Sequence, residues 1–175
     1  MNVKRFVLVA VAPAIAASSI VLLLGVFGIR LNIASNSLPP GLYRIVPAGK
    51  GSDLLICPTG VAEKVSIERE YRIKSFGCGD GYAPLLKPIA ARAGDTVTLS
   101  QAGVAVNGKL LQNSKQYPMD GIGRPMPMVP FGTYAVLPGT VWVISSYNRF
   151  SFDSRYFGPV NLDEKVRYAK LFWLF

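Results

Sequence analysis

Hydrophobic and polar positions divide this chain into one long uncharged segment and a series of short apolar runs. The uncharged segment extends from Phe6 to Ile29 and is preceded by Lys4 and Arg5. Twenty-four residues at about 1.5 Å each make about 36 Å of helix, whereas a hydrocarbon core is about 30 Å thick. We therefore predict that residues 1–30 form a cytoplasmic stub and a transmembrane anchor. A cleaved secretory signal is the alternative, since it also has a basic start and an apolar stretch.

The charges beside this segment also predict its orientation. Lysine and arginine concentrate on the cytoplasmic side of membrane helices, which places Lys4 and Arg5 in the cytoplasm. Residues 31–175 then form one periplasmic domain, and the predicted localisation is the inner membrane with a single pass. The chain has 175 residues, of which 50% are apolar and 17% charged, so it is long enough for a domain with its own core.

The apolar runs beyond residue 30 are short and rich in β-branched or aromatic residues. Prolines and glycines separate these runs, which disfavours long helices. We therefore predict a mainly β domain over residues 31–175, preceded by the single transmembrane helix. The clearest predicted strands are residues 54–56, 96–99, 104–106, 134–137 and 141–144.

Four further segments have recognisable local patterns. Asn107-Gly108 follows an apolar run and is a residue pair that type I′ hairpin turns prefer. Residues 63–76 mix charged and apolar side chains, and we predict one short helix there. Residues 112–130 are rich in proline and glycine and predict an extended loop. The aromatic segment 168–175 predicts a last strand buried in the core, with a tail that dips into the membrane as the alternative.

The formal net charge of +9 raises the question of a nucleic-acid partner. The 19 lysine and arginine residues are scattered along the chain, and no helix-turn-helix, finger or aromatic-basic stacking pattern occurs. A domain beside an anionic membrane gains from basic charge. We therefore expect membrane lipid, and no nucleic acid, as a partner.

Cys57 and Cys78 are the two cysteines of the chain. An even number of cysteines in an exported domain favours a disulfide between them, and a pair of free, buried thiols is the alternative. The chain contains no histidine and no second cysteine pair, so we expect no zinc site and no cofactor.

Lys87 is a candidate for chemistry. It lies in the apolar sequence Leu-Leu-Lys-Pro-Ile of residues 85–89, in a chain without histidine. A lysine amine is a base only when neutral, and its ordinary pKa is about 10.4, so the protein must lower this pKa by about three units. Burial among apolar side chains can do this. A lysine that extends from a strand to solvent is the alternative.

Three motifs resemble those of the type I signal peptidases, which are membrane-bound serine-lysine peptidases. Ser37 begins a Ser-x-x-Pro sequence, Lys87 precedes Gly94-Asp95, and residues 151–160 match Ser-x-Asp-Ser-Arg-Tyr-x-Gly-x-Val. The Ser-x-Pro-x-Gly-x-Tyr pattern of residues 37–43 and the two cysteines are most similar to the TraF-type branch, the conjugative-transfer peptidases. The resemblance implies a signal-peptidase-like β domain as the fold.

The resemblance also implies roles for individual residues. Ser37 would be the nucleophile and Lys87 the general base, and Ser151 would orient the lysine. The hydroxyl of Ser35 and the backbone N–H of Ser37 would form the oxyanion hole that stabilises the tetrahedral intermediate.

Asp153 and Arg155, in the last of the three motifs, would support this site as a charged pair. Such a pair more often holds the architecture of a site than transfers protons. A serine-lysine dyad needs no metal or organic cofactor, in agreement with the composition.

The predicted function is that of a membrane-anchored serine endopeptidase that processes exported preproteins. The TraF-type resemblance implies a propilin of conjugative transfer as substrate, and some relatives join the new carboxyl end to an amino terminus, giving a cyclic pilin. The residues do not decide between hydrolysis and cyclisation. A housekeeping signal peptidase with broad substrates and a non-catalytic envelope scaffold of a secretion channel are the alternatives.

Overall fold

The computed structural model describes residues 11, 13–16, 18–19, 23–33, 35–163 and 165–175. These described residues form eleven strands and, beyond residue 33, two helices, Gly60–Glu68 and Ser154–Phe157. The strands in chain order are β1 (Ile29–Asn32), β2 (Gly41–Val46), β3 (Asp53–Ile56), β4 (Leu85–Arg92), β5 (Thr96–Ser100), β6 (Gly103–Val106), β7 (Lys109–Leu110), β8 (Gly132–Ala135), β9 (Thr140–Val143), β10 (Val160–Asn161) and β11 (Val166–Leu174).

The strands build two antiparallel sheets. The larger sheet has seven strands in the order β1-β2-β11-β3-β4-β9-β10, and the smaller has four in the order β7-β6-β5-β8. The prediction of a mainly β domain is therefore confirmed, and each of the five predicted strands overlaps an observed one. The hydrophobic pattern does not single out β1, β2 or β4, because Arg30, Arg44 and Lys87 interrupt their apolar residues.

Strand β9 separates two apolar clusters and is buried on both faces. Trp142 packs with Leu99 of β5 in one cluster, whereas Val143 packs with Leu54 of β3 in the other. Successive side chains of a strand point to opposite faces, so β9 needs an almost continuous apolar sequence. This explains why the hydrophobic pattern predicts β9 so clearly.

The predicted turn, helix and loop are all present. Asn107 and Gly108 connect β6 to β7 with φ angles of 50° and 80°, the positive values that a type I′ turn requires. The predicted helix is Gly60–Glu68, which begins and ends earlier than the range 63–76. Residues 112–130 contain no strand or helix among those described.

The last strand is present, but the prediction that it is buried is wrong for its final residues. Ala169 is fully buried, whereas residues 171–175 are 38–64% exposed. Strand β11 pairs with β3 only as far as Ala169, opposite Asp53, and continues along β2 alone. The end of β11 therefore leaves the central part of the sheet, and its aromatic side chains face solvent.

The predicted single-pass localisation, with its periplasmic domain, is wrong: no helix within the described residues has the length and apolar character to cross a membrane. Crossing takes about 20 apolar residues in one helix. The helical residues end at Val26, Gly28 has a φ of 71°, and Ile29 begins β1, which pairs with β2. The last residue of the uncharged segment thus begins a strand. Of the predicted anchor and stub, residues 1–10, 12, 17 and 20–22 lie outside the described residues.

Cys57 and Cys78 form the predicted disulfide, with Cα atoms 5.6 Å apart. Cys57 directly follows β3, so the bond ties the loop around Cys78 to the end of a central strand. The same loop is held by Arg72, whose guanidinium binds Asp80 at 2.6 Å. The disulfide and this ion pair together therefore hold the loop around Cys78.

Removal of the disulfide should lower stability without abolishing the fold. The bond joins residues 21 positions apart, and closing a loop of this length stabilises by about 3 kcal/mol through restriction of the unfolded chain. We expect the Cys57→Ala/Cys78→Ala variant to lose about this free energy of unfolding in urea. The wild-type protein under reducing conditions is the control and should lose a similar amount. An unchanged unfolding midpoint in the double variant would contradict this role.

Candidate functional site

Ser37, Lys87 and Ser151 come from distant parts of the chain and meet at one buried point. Ser37 lies in the turn between β1 and β2, Lys87 lies within β4, and Ser151 precedes the helix Ser154–Phe157. Their side chains are buried, with 6%, 4% and 3% of the residue surface exposed. The structure therefore brings together the three residues that the motifs assign to the dyad and its support.

Hydrogen bonds connect all three side chains. The Lys87 Nζ atom lies 2.6 Å from Ser37 Oγ and 3.0 Å from Ser151 Oγ. The two hydroxyl oxygens are 3.1 Å apart. At these distances a proton can pass directly from the Ser37 hydroxyl to a neutral lysine amine, which is the geometry that a general base requires.

Burial changes the protonation of Lys87. Removal of the amine from water lowers its pKa to about 8, and the positive charge of Arg155 acts in the same direction, while the negative charge of Asp153 partly opposes them. Lys87 pairs with Leu54 in β3 and lies beside Leu86, both of which are buried. The apolar residues around Lys87 thus supply the pKa shift that the sequence predicts.

The loop that carries Ser37 is held by buried polar side chains on either side. Asn32, at the end of β1, donates its side-chain amide to the carbonyls of Leu38 at 3.3 Å and Pro39 at 3.0 Å. Its side-chain oxygen accepts the backbone N–H of Ser35 at 3.1 Å. The Tyr43 hydroxyl donates to the Pro39 carbonyl at 2.9 Å. These contacts fix the backbone on both sides of the candidate nucleophile.

Ser35 and the Ser37 backbone N–H, the two candidate oxyanion donors, are adjacent. The Ser37 N–H donates to Ser35 Oγ at 3.3 Å. An oxyanion bound here would replace the Ser35 oxygen as the acceptor of this N–H, and the Ser35 hydroxyl would turn to donate to it.

Asp153 and Arg155 form a fully buried ion pair next to the three side chains. Arg155 Nε lies 2.8 Å from Asp153 Oδ1, and a second guanidinium nitrogen lies 2.9 Å from Oδ2. Arg155 also donates to the Ser151 carbonyl at 3.0 Å, so it holds the backbone of that serine. Breaking a buried pair of this kind costs about 3–5 kcal/mol, because one charge is left uncompensated.

Asn32 and Ser145 are parts of the site that the sequence motifs do not identify. Ser145 is fully buried and donates its hydroxyl to the Ser37 carbonyl at 2.6 Å. The signals in the sequence are weak: a polar residue ends β1, and another follows the apolar strand β9. Only the hydrogen bonds of the folded chain show that both residues hold the loop of Ser37.

A cavity of about 1060 Å³ opens from the Ser37 and Lys87 side chains. Its inner wall includes the apolar residues Leu55, Leu86 and Phe152. Two loop residues, Phe76 and Ile122, line it as well, and both are exposed. The cavity therefore places apolar side chains close to Ser37 and Lys87.

The loops that present Phe76 and Ile122 are well ordered by local contacts. The loop of Phe76 is closed by the Cys57–Cys78 disulfide and by a backbone hydrogen bond from Ser75 to Gly81. The loop of Ile122 is organised by Asp120, whose carboxylate accepts the N–H of Ile122 at 3.1 Å. The backbone that carries each of these exposed side chains is thus held by contacts within its own loop.

Similar proteins of known name include conjugal transfer proteins and a signal peptidase. A crystal structure of a signal peptidase I from Enterococcus faecalis has a TM-score of 0.34 and 18% identity, covering 69% of this chain and 95% of that chain. A plasmid transfer protein TraF from Escherichia coli is 37% identical over 143 residues, which cover 79% of each chain. A probable conjugal transfer protein TraF from Sinorhizobium fredii is 37% identical over 143 residues, which cover 76% of this chain and 70% of that protein.

The family to which the chain belongs follows from the extent of these matches. The model of the family described as signal peptidase, peptidase S26, matches residues 2–174. The two TraF proteins exceed 30% identity over more than two thirds of the chain. This chain is therefore a member of the signal peptidase family, peptidase S26.

Proposed function

We propose that this protein is a serine endopeptidase with Ser37 as nucleophile and Lys87 as general base. The observation that supports the proposal is the contact of 2.6 Å between Lys87 Nζ and Ser37 Oγ. Because burial lowers the pKa of Lys87 to about 8, roughly a tenth of the amine is neutral at pH 7, against about one in a few thousand for an ordinary lysine. The catalytic domain that we propose comprises residues 31–175.

The reaction follows from this contact. Ser37 Oγ attacks the carbonyl carbon of the scissile peptide bond while Lys87 Nζ accepts the hydroxyl proton. The tetrahedral intermediate then collapses, the C–N bond breaks, and Lys87 returns the proton to the leaving amine. Water, deprotonated by the same lysine, attacks the resulting ester; the bond between Ser37 Oγ and the acyl carbon breaks, the new carboxyl end is released, and Lys87 returns the proton to Ser37 Oγ. An amine in place of water would instead form a new peptide bond, as in a cyclic product.

The neighbouring residues support the two reacting groups in this mechanism. We propose that Ser151 keeps Lys87 directed at Ser37, and that the Ser35 hydroxyl and the Ser37 N–H stabilise the oxyanion. A single donor of this type typically contributes about 3 kcal/mol to lowering the barrier. The ion pair of Asp153 and Arg155 holds the backbone from which Ser151 extends.

The proposed substrate is a precursor protein of conjugal transfer, such as a propilin. The relatives named for plasmid or conjugal transfer support this assignment. An extended segment of such a precursor would lie in the cavity, with backbone hydrogen bonds for alignment and apolar contacts for recognition. Phe76 and Ile122 would contact apolar side chains of the substrate, because they are exposed apolar residues of two loops that line the cavity.

The nucleophile can be tested by covalent labelling. We expect a serine-directed acylating inhibitor such as a penem to add its mass to the wild-type protein, and we expect no adduct on Ser37→Ala. The variant should also fail to cleave a precursor that the wild-type protein cleaves. Ser66→Ala, which removes a buried hydroxyl from the helix Gly60–Glu68, is the matched control and should be labelled normally. An adduct of equal yield on Ser37→Ala would exclude Ser37 as the nucleophile.

The dependence of labelling on pH tests the base. Below the pKa of Lys87, which burial lowers to about 8, the rate of acylation should rise about tenfold per pH unit as the amine becomes neutral, and above it the rate should level off. We expect this profile between pH 6 and 10 with an inhibitor that does not itself titrate in the range. Lys87→Met should show neither the profile nor appreciable labelling. A rate that still rises tenfold per unit up to pH 10, as it would for an ordinary lysine pKa of about 10.4, would argue against a buried base.

The two exposed loop residues can be tested for substrate binding. Replacing a large apolar side chain that becomes buried on binding by a small polar one should cost at least about 1.4 kcal/mol, or about tenfold in KM. We therefore expect Phe76→Ser to raise KM about tenfold with kcat nearly unchanged. Phe131→Ser is the matched control, since Phe131 is exposed but lies outside the cavity. Equal KM values for the two variants would show that Phe76 does not contact the substrate.

A further inference from the structure

We propose that Ser145 is a positioning residue for the nucleophile and connects the Asp153–Arg155 ion pair to the backbone of Ser37. The proposal rests on the assignment of Ser37 as nucleophile. Ser145 is fully buried between the two groups that it would connect. It lies on the segment after β9, far in sequence from the loop of Ser37.

Two hydrogen bonds make the connection. The Ser145 hydroxyl donates to the Ser37 carbonyl at 2.6 Å. The Ser145 backbone N–H donates to Asp153 Oδ2 at 3.0 Å. Asp153 is in turn held by the guanidinium of Arg155. A short path of hydrogen bonds thus leads from the ion pair through one residue to the Ser37 peptide unit.

The direction of the hydroxyl bond is determined by its other partners. Ser145 Oγ accepts the backbone N–H of Tyr147 at 3.2 Å and that of Asn148 at 3.1 Å. A hydroxyl has one donor and two acceptor positions, so these two N–H groups occupy both of its lone pairs. Its single hydrogen is left for the Ser37 carbonyl, which can only accept. The bond therefore has one possible orientation.

This bond restricts the rotation that sets the position of Ser37 Oγ. Holding the Ser37 carbonyl fixes the ψ angle of that residue, while Asn32 holds the next two carbonyls of the loop. The Cα–Cβ bond of Ser37 then stays directed at Lys87, because the hydrogen bonds restrict the conformation of the loop backbone. A displacement of about 1 Å at a reacting atom can reduce a rate by about a hundredfold. Loss of this bond should therefore slow acylation and leave inhibitor binding intact.

Asp153 can act on the site in two ways, and a variant of Ser145 distinguishes between them. The carboxylate acts on Lys87 through its charge, and it acts on Ser37 through the N–H and hydroxyl of Ser145. A variant of Ser145 removes the second route and keeps the charge of Asp153 in place. The acid limb of the pH profile should then remain where it is in the wild-type protein, although the maximal rate falls.

The test compares Ser145→Ala with Ser66→Ala in the full chain. Both serines are fully buried, and each donates its hydroxyl to a backbone carbonyl, at 2.6 and 2.8 Å. Acylation by a penem, followed by intact mass across a range of concentrations, gives the maximal rate and the inhibitor affinity separately. We expect Ser145→Ala to lose about ten- to a hundredfold in maximal rate, with unchanged affinity and an unchanged pH midpoint. Ser66→Ala should retain the wild-type rate.

A rate for Ser145→Ala within twofold of that for Ser66→Ala would overturn the proposal, as would a shift of the pH midpoint in place of a lower rate. If Ser145→Ala does not fold, Ser145→Cys provides the measurement, because a thiol has a similar size but is a weak donor. A wild-type rate in that variant would also overturn it. Labelling of Ser37→Ala would instead refute the proposed function, so the two failures are distinguishable.

Discussion

The site depends on the burial of one amine. Lys87 is surrounded by apolar residues of β3 and β4, and the loss of hydration lowers its pKa to about 8. A charged amine would be costly at this position, whereas a neutral amine can accept a proton from Ser37 at 2.6 Å. In the mechanism that we propose, this lowered pKa allows Lys87 to act as the base in a chain that has no histidine.

The rest of the domain keeps that arrangement rigid. Central strands of the large sheet supply Lys87, and the loop of Ser37 is held by Asn32 on one side and Ser145 on the other. The buried ion pair of Asp153 and Arg155 binds the backbone of Ser145 and Ser151, and its charges act on Lys87. Because the two charges have opposite effects on Lys87, the pair can hold backbone groups while changing the base little.

Two corrections show where sequence patterns are insufficient. Ile29, the last residue of the uncharged segment, begins strand β1, whose residues pair with β2. That strand ends in Asn32, whose side chain binds the backbone of the loop that carries Ser37. The last residues of β11 are exposed although they are aromatic, because β3 pairs with only the first part of this strand. Apolar composition therefore predicts neither the kind of element nor its burial at these two places.

The sequence alone determined the mainly β class and the hairpin turn, favoured the disulfide and indicated the candidate dyad. The β class and the turn follow from local propensities, the disulfide from the even number of cysteines, and the dyad from the resemblance of three short motifs to those of a known family. Only the tertiary structure decided that Asn32 and Ser145 hold the Ser37 loop, and that Phe76 and Ile122 line the same cavity. The reason is physical: such contacts join residues as far apart as 108 positions, and a hydrogen bond or a shared wall at that separation leaves no periodic trace in the sequence.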